Sequence, residues 1–260
     1  MKFVKTQDPS ELSGDMLAES DRFYFRCYPG ISCFNQCCRN LNLFLYPYDV
    51  LRLKQFLGLT AGEFIDRYLE VVLREGSHFP DVLLTMADNA EKTCPFLTDQ
   101  GCAVYPARSY SCRLFPVEQG LRYDENEQTP RLVNFFRPPD FCLGRHEDRP
   151  LTPAEWIADQ EAERYVEMTR LWARVKARFL DNPWGGEGPY GPRARMAFMA
   201  AYNIDAFGDF VFQSSFLKRY RVKASVLKKI RASQTELLKF GLEWIEVFVW
   251  GRPSSWLRPK

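Results

Sequence analysis

Cysteine is the residue type whose number and spacing most clearly indicate chemistry in this sequence. The eight cysteines all lie between residues 27 and 142, and the rest of the chain to residue 260 contains none. Thiolates gathered in short loops are the usual ligands of structural zinc ions and of iron–sulfur clusters. The pattern therefore predicts a metal centre, whose candidate ligands are Cys27, Cys33, Cys37, Cys38, Cys94, Cys102, Cys112 and Cys142.

The cysteines form two groups, and Cys142 follows them. The first group lies in RCYPGISCFNQCC, with the spacing C-x5-C-x3-C-C, and the second lies in KTCPFLTDQGCAVYPARSYSCRLFP, with the spacing C-x7-C-x9-C. Neither group is a plain CxxC pair, so the spacing does not predict a simple zinc ribbon. Because zinc and the irons of a cluster are both tetrahedral, the spacing leaves zinc and an iron–sulfur cluster open.

Disulfide bonds and inert buried thiols are the alternatives to a metal centre. An even number of cysteines suits disulfides in a secreted chain. However, the first residues, MKFVKTQDPSELSGD, have no apolar run after their lysines. A bond between the adjacent residues Cys37 and Cys38 would also be strained. We therefore expect a cytoplasmic protein with reduced thiols, and no stretch has the ~18 apolar residues that a membrane span requires.

Three residues of the second group are candidates for holding a cofactor or tuning a metal. Arg108 and Arg113 flank Cys112, where guanidinium groups would stabilise a negatively charged cluster or bind an anionic substrate. The hydroxyl of Tyr105 would donate to a sulfur, although simple packing is the alternative. The two histidines, His78 and His146, are expected in loops, and their small number argues against a histidine-based metal site.

At these residues the sequence resembles the YkgJ-type cysteine-cluster proteins, which are also described as a zinc- or iron-chelating domain. The signature of that family is CxxCxxCC, followed by a Cys-Pro segment and by Gly-x-Cys-x-Ile/Val-Tyr-x-x-Arg-Pro-x-x-Cys-Arg-x-Phe-Pro. The pairs Cys94-Pro95, Gly101-Cys102, Val104-Tyr105, Cys112-Arg113 and Phe115-Pro116 stand in register with it, as does Arg108. The first two gaps are longer than in the signature, and Ser109 stands where the family has proline. The resemblance covers roughly residues 23–145.

The resemblance implies metal or iron–sulfur binding and leaves three functions open. The first is an iron–sulfur protein with a redox or cluster-assisted enzymatic role, which we prefer because aromatic residues and arginines near the loops suit a buried cluster. The second is a structural zinc protein that acts as an interaction module. The third, implied by a distant likeness to flagellin lysine methylase, is cluster-dependent methyl transfer. No nucleotide-binding or hydrolase motif is present, so whether the protein is an enzyme stays open.

Charge distinguishes one further segment. The chain carries 35 Lys and Arg against 33 Asp and Glu, a balance that argues against a general nucleic-acid binder. Residues 217–231, LKRYRVKASVLKKIR, nevertheless contain seven cations and no acid. This stretch is a candidate surface for nucleic acid or an acidic partner, and the alternative is a solvated helix face.

The elements that must position these residues follow from periodicity and capping. Thr60, Thr152 and Ser233 each precede a glutamate by three residues, which is typical of a helix start. Helices are predicted over 49–58, 60–73, 152–180, 193–220 and from 233, and strands over 82–86, 113–117 and 131–136. The last helix is apolar around most of its circumference and is expected in the core. The predicted fold is therefore α+β and mainly helical, with small antiparallel strands and loops around the metal centre. Residues 1–150 are predicted to form the cysteine-cluster domain, and residues 151–260 a helical region packing on it.

Overall fold

The computed structural model of the protein describes residues 2–4, 15–74, 76–122 and 131–260. Helix is the main element of these residues, and the strands are short, so the predicted α+β, mainly helical fold is confirmed. None of the helices in the described ranges is both long and apolar enough to cross a membrane. The α-helices are α1 (Pro47–Leu57), α2 (Ala61–Tyr68), α3 (Tyr110–Leu114), α4 (Pro153–Asp159), α5 (Glu163–Ala177), α6 (Pro192–Tyr202), α7 (Ile204–Gln213), α8 (Phe216–Arg219), α9 (Ala224–Ala232) and α10 (Gln234–Trp250).

The strands form five small sheets. A four-stranded sheet has the order β1-β9-β10-β2, a three-stranded sheet has the order β4-β6-β5, and three pairs join β11 to β3, β12 to β13 and β7 to β8 when the strands are numbered along the chain. All pairings are antiparallel except that of β1 with β9. The strands are β1 (Lys2–Val4), β2 (Asp15–Leu17), β3 (Phe23–Tyr24), β4 (Phe44–Leu45), β5 (Leu69–Val72), β6 (Asp81–Leu84), β7 (Leu97–Thr98), β8 (Gly101–Cys102), β9 (Val117–Arg122), β10 (Arg131–Phe136), β11 (Pro150–Leu151), β12 (Tyr220–Val222) and β13 (Leu257–Pro259).

The chain forms two compact units, each built from separated segments. Unit 1 takes in the described residues within Met1–Leu41, Met86–Tyr105 and Ser109–Val166, and unit 2 takes in those within Asn42–Thr85, Pro106–Arg108 and Glu167–Lys260. All eight cysteines belong to unit 1. The predicted domain boundary between residues 150 and 151 stays a prediction.

Unit 1 has a small aromatic core next to its cysteine loops. The ring of Trp156 on α4 meets the rings of Phe23 and Phe25 edge to face, at centroid distances of 6.3 and 5.4 Å. Its indole N–H donates to the carbonyl of Leu114 at the end of α3, with an N–O distance of 2.9 Å. Because Phe25 lies two residues before Cys27 and Leu114 lies two after Cys112, this core holds both cysteine segments.

Unit 2 is organised around α10, which confirms the expectation that the last helix is buried. Most of its apolar residues are inaccessible to solvent, among them Phe240 and Trp244. Helix α6 approaches it closely at Gly241, where an added Cβ would lie 2.6 Å from the carbonyl oxygen of Ala200. Any larger residue at this position would push the two helices apart.

Three element predictions differ from the structure. Residues 113–117 are not a strand, because α3 extends through Leu114 and β9 begins only at Val117. Helix α2 ends at Tyr68, and the predicted remainder forms strand β5, which pairs with β6. The helix predicted over 152–180 is broken, since Glu161 adopts a left-handed conformation with φ 51°. There the N–H of Ala162 donates to the carbonyl of Ile157, which closes α4 with a Schellman motif.

The remaining element predictions agree in position with the structure. Strand β10 occupies residues 131–136 as predicted, and the region 193–220 is helical but divided among α6, α7 and α8. Thr60 and Thr152 both accept a hydrogen bond from the backbone of the glutamate three residues later, and both capping boxes are complete. Helix α10 likewise begins after Ser233, whose side chain accepts from the N–H of Glu236.

Candidate metal centre

The first cysteine loop is held by a succession of tight turns. Between Cys27 and Cys38, four backbone hydrogen bonds of 2.9–3.1 Å each join residues three apart. Asn35, at φ 63°, leads into a 3-10 helix, Gln36–Cys38, that carries Cys37 and Cys38 on consecutive positions. Such turns direct several side chains into a small volume, as a thiolate-ligated metal requires.

The second cysteine segment is fastened directly to the first. The N–H of Cys94 donates to the carbonyl of Cys38 at 2.8 Å, and Arg39 forms a β-bridge with Thr93. The β7–β8 hairpin then folds back, and Cys102 pairs with Leu97, three residues after Cys94. Gly101, at φ 114°, supplies the left-handed turn that this hairpin needs. Cys112 follows on α3.

The loop that carries Cys142 lies against the first cysteine loop. The N–H of Leu143 donates to the Sγ of Cys33 at 3.3 Å, and the N–H of Arg26 donates to the carbonyl of Gly144 at 3.1 Å. These two bonds hold the loop around Cys142 against residues on both sides of Cys27, Arg26 before it and Cys33 after it. The sequence analysis did not predict that the amides of residues 143 and 144 donate to cysteine sulfurs. The only local signal for these donors is that they directly follow Cys142 in the sequence.

Electrostatic coupling shows which thiols are neighbours. Burial, together with the thiols of Cys38 and Cys102, raises the pKa of Cys94 to about 11, although the backbone N–H groups of Phe96 and Leu97 act in the opposite direction. Cys112 is accessible to solvent, yet protein atoms are dense around its thiol. This burial raises the pKa of Cys112 to about 12, with Cys94, Cys38 and Cys102 contributing. A hydrogen bond with Cys37, followed by burial, raises the pKa of Cys38 strongly. We call Cys37, Cys38, Cys94, Cys102 and Cys112 the five-thiol set.

The other three cysteines form a second set. Burial raises the pKa of Cys27, and the thiols of Cys33, Cys142 and Cys38 add to that effect. Burial likewise raises the pKa of Cys142, where Cys33 contributes and the amides of Gly144 and Arg145 act in the opposite direction. We call Cys27, Cys33 and Cys142 the three-thiol set. Cys38 is coupled to both sets, so all eight predicted ligands lie in one connected region of unit 1.

The thiols are neighbours, but they are not yet in ligating positions. All eight cysteines are free, so the disulfide alternative is not realised. Among the described residues, no three His, Cys, Asp or Glu side chains are placed to hold a metal ion. The donor type nevertheless fits zinc or iron, because soft thiolates with amide N–H donors at their sulfurs suit both. Side-chain rotation of the cysteines would be needed to bring the sulfurs to one point.

The predicted supporting residues lie in different environments. Tyr105 is 57% exposed, and Arg108 is half-buried in unit 2. Arg113 is buried, with its guanidinium donating to the carbonyl of Gln160 at 2.7 Å and lying 4.4 Å from the centre of the Tyr165 ring. These contacts anchor α3 against the α4–α5 connection. Whether these three residues hold a cofactor stays a prediction.

His78 lies in a loop, as expected, whereas His146 is the last residue of a 3-10 helix, Leu143–His146. His146 is exposed and accepts a hydrogen bond from the guanidinium of Arg145 at 3.3 Å. The backbone of His78 accepts from the indole of Trp184 and donates to Phe179.

Unit 1 thus gathers the thiols of the protein, as expected for the class of cysteine-cluster, metal-chelating proteins. Comparison with known families agrees with this class: residues 26–133 match the model of the CxxCxxCC family, whose description reads "Putative zinc- or iron-chelating domain". The resemblance that the sequence indicated is confirmed over these residues. No curated protein and no solved structure matches the chain significantly.

Proposed function

We propose that the protein is a cytoplasmic iron–sulfur protein in which the clustered cysteines hold the metal and which has a redox or cluster-assisted enzymatic role. The observation that carries this proposal is the gathering of eight free thiols, from three separate segments, into one region of unit 1. Free thiols in this number are also typical of a reducing compartment.

The thiol count and the amide donors favour a cluster over a single zinc ion. One zinc ion takes four ligands, whereas the five-thiol and three-thiol sets together exceed that number. Amides donate to the sulfurs of Cys33, Cys94 and Cys142. Hydrogen bonds to sulfur are one means by which proteins set cluster potentials. A bound cluster would supply one-electron chemistry, and these amides would hold negative charge at the sulfurs.

A structural zinc ion is the second candidate, and one observation favours it. Within the five-thiol set, Cys112 is coupled to three other thiols, those of Cys38, Cys94 and Cys102. Four thiolates are the complete ligand set of a structural zinc site. Cluster-dependent methyl transfer stays a prediction that none of the described contacts tests.

Elemental analysis after anaerobic purification distinguishes these functions. Iron with acid-labile sulfide and a broad visible absorption band is the expected result for a cluster. Zinc without sulfide would replace the first proposal with the second. Absence of both metals from protein purified in the presence of iron and zinc would refute both.

Two cysteine variants then test the ligand sets. If each set holds its own metal, Cys33→Ser removes one part of the bound metal, Cys102→Ser removes the other, and the double variant removes all of it. If the sets share one centre, either single change removes it all. Ser111→Ala, on the exposed position next to Cys112, is the matched control and should keep full metal content. Full metal content in the double variant would show that neither set holds the metal.

A further inference from the structure

The middle of the basic stretch, between helices α8 and α9, forms one strand of a two-stranded ribbon. Strand β12 pairs antiparallel with β13, so that Arg221 stands directly opposite Arg258. The pairing continues at both ends, because the N–H of Lys260 donates to the carbonyl of Arg219 at 2.9 Å and the N–H of Lys223 donates to that of Trp256 at 3.2 Å. The ribbon therefore spans residues 219–223 and 256–260.

One face of this ribbon is cationic. Side chains alternate between the two faces of a strand, so residues 221 and 223 share a face with residues 256 and 258. Arg219, the last residue of α8, and Lys260 lie at the end of this row, where their backbones are paired. Burial agrees with this alternation: Arg219, Arg221, Lys223 and Arg258 are exposed, whereas Leu257 on the opposite face is buried. We call Arg219, Arg221, Lys223, Trp256 and Arg258 the cationic ribbon face. The sixth residue, Lys260, has its ammonium group tied to the carbonyl of Leu217 at 2.8 Å.

The arrangement of these cations is unfavourable for stability. Side chains directly opposite in an antiparallel pair are about 5 Å apart at Cβ, and like charges in that position are destabilising. Arg221 and Arg258 form such a pair. Within the described part of the chain, neither of them is in a salt bridge with a carboxylate. An anion bound between the two side chains would relieve this repulsion.

Charge is also segregated between the units. The ranges of unit 2 contain 22 Lys and Arg against 14 Asp and Glu, whereas those of unit 1 contain 13 against 19. The whole chain is therefore nearly neutral, although unit 2 alone has a clear excess of positive charge. Such charge asymmetry is typical of proteins that bind a polyanion with one part.

We propose that the cationic ribbon face binds the phosphate backbone of single-stranded nucleic acid. Guanidinium forks match phosphate oxygens in a bidentate way, and three of the four exposed cations on this face are arginines. Residues two apart on a strand are about 6.7 Å apart, so the cations form an evenly spaced row that can follow an extended backbone. Trp256 lies at the end of the row, opposite Lys223, where an indole ring provides a stacking surface for a base. This inference does not depend on the metal centre.

Fluorescence anisotropy with a labelled oligothymidylate of about 20 nucleotides tests the proposal. If the four cations each neutralise one phosphate, the logarithm of the binding constant should fall with the logarithm of salt concentration with a slope of about −3. The variant R221Q/R258Q should make this slope shallower by about 1.4 and weaken binding at least tenfold in about 50 mM salt. Trp256→Ala should weaken binding about tenfold, while Trp256→Phe should retain most of the affinity.

The matched control removes the same charge elsewhere in unit 2. Arg170 and Arg195 are exposed on α5 and α6, so R170Q/R195Q lowers the net charge equally without touching the ribbon. Its affinity and salt slope should stay close to those of the wild type. Equal losses in both double variants would overturn the proposal, because binding would then follow net charge alone.

The class of polyanion that binds and the thermal stability of the double variant provide two further tests. Poly-glutamate that binds as tightly as the oligonucleotide, and with the same loss in R221Q/R258Q, would overturn the proposal in favour of an acidic polypeptide partner. Thermal unfolding provides the second readout: R221Q/R258Q should unfold at the same temperature as the wild type or a higher one, since it relieves repulsion. A lower unfolding temperature would contradict the argument from the like-charged pair.

Discussion

Replacing Gly144 with alanine should separate the Cys142 loop from the Cys27 loop. An added Cβ at this position would lie 2.6 Å from the carbonyl oxygen of Arg26 and 2.8 Å from a ring carbon of Phe25. Ordinary contacts begin near 3.4 Å, so the backbone of one loop must move by roughly 0.8 Å. The same backbone segments are joined by the hydrogen bond from Arg26 to Gly144, which the movement would strain. Overpacking of this kind costs about 1–3 kcal/mol.

Urea unfolding of the intact, metal-loaded chain, followed by circular dichroism, measures this cost. Gly186→Ala is the matched control, because a Cβ on Gly186 meets nothing within 4 Å. We expect Gly144→Ala to lower the free energy of unfolding by about 1–3 kcal/mol and to reduce bound metal, since it displaces Cys142 from Cys33. The control should leave both quantities close to wild type. An unfolding midpoint and a metal content equal to those of Gly186→Ala would refute the close approach of the two loops.

Three other predictions concern capping, charge and metal binding. Thr152→Ala removes the hydroxyl that caps α4 and should lower the free energy of unfolding by about 1 kcal/mol in urea, whereas an unchanged value would contradict the cap. Burial alone would raise the pKa of Asp205, but hydrogen bonds from Ala61 and Lys54 outweigh it and hold the pKa below its ordinary value of 3.8. The stability that the ionised carboxylate of Asp205 contributes is therefore present above pH 3.8, and it is lost as the pH falls through the lower pKa that this group has in the folded state. Asp205→Asn should therefore destabilise the protein by about 2 kcal/mol at neutral pH and reduce the acid dependence of unfolding, and an unchanged dependence would contradict it. Because thiols with pKa values of about 11 and about 12 must lose their protons to bind a metal, zinc affinity measured by chelator competition should rise about tenfold per pH unit for each proton released, and a pH-independent affinity would contradict thiolate ligation.

Local signals in the sequence were sufficient for the helix starts. The capping boxes at Thr60 and Thr152 depend on residues only three positions apart, so the sequence predicts them directly. The end of α4 is different, because no glycine or proline marks it. The left-handed position is taken by Glu161, and the turn buries Ala162 completely. Periodicity alone does not mark a turn of this kind.

The gathering of the cysteines was predictable, but their grouping was not. Cysteine spacing identifies all eight thiols, yet it places Cys38 with the first loop and Cys94 with the second. In the structure a backbone hydrogen bond joins these two residues, and their thiols are coupled. The thiols of Cys142 and Cys33 are coupled, and the amide of Leu143 donates to the sulfur of Cys33, a contact between residues about a hundred positions apart. Long-range contacts of this kind depend on the whole fold.

Net charge over the whole chain does not reveal the cationic ribbon face. An average over the chain treats Arg221 and Arg258 as two of 35 cations, balanced by 33 acids. The fold instead pairs them across β12 and β13, although 36 residues separate them in the sequence, and it collects the acids mainly in the ranges of unit 1. An anion is attracted by the charges close to it, because salt screens the electrostatic potential of each charge within about 10 Å at ordinary ionic strength. The cationic ribbon face is therefore a property of strand pairing, and a test of its partner must change this pair rather than the total charge.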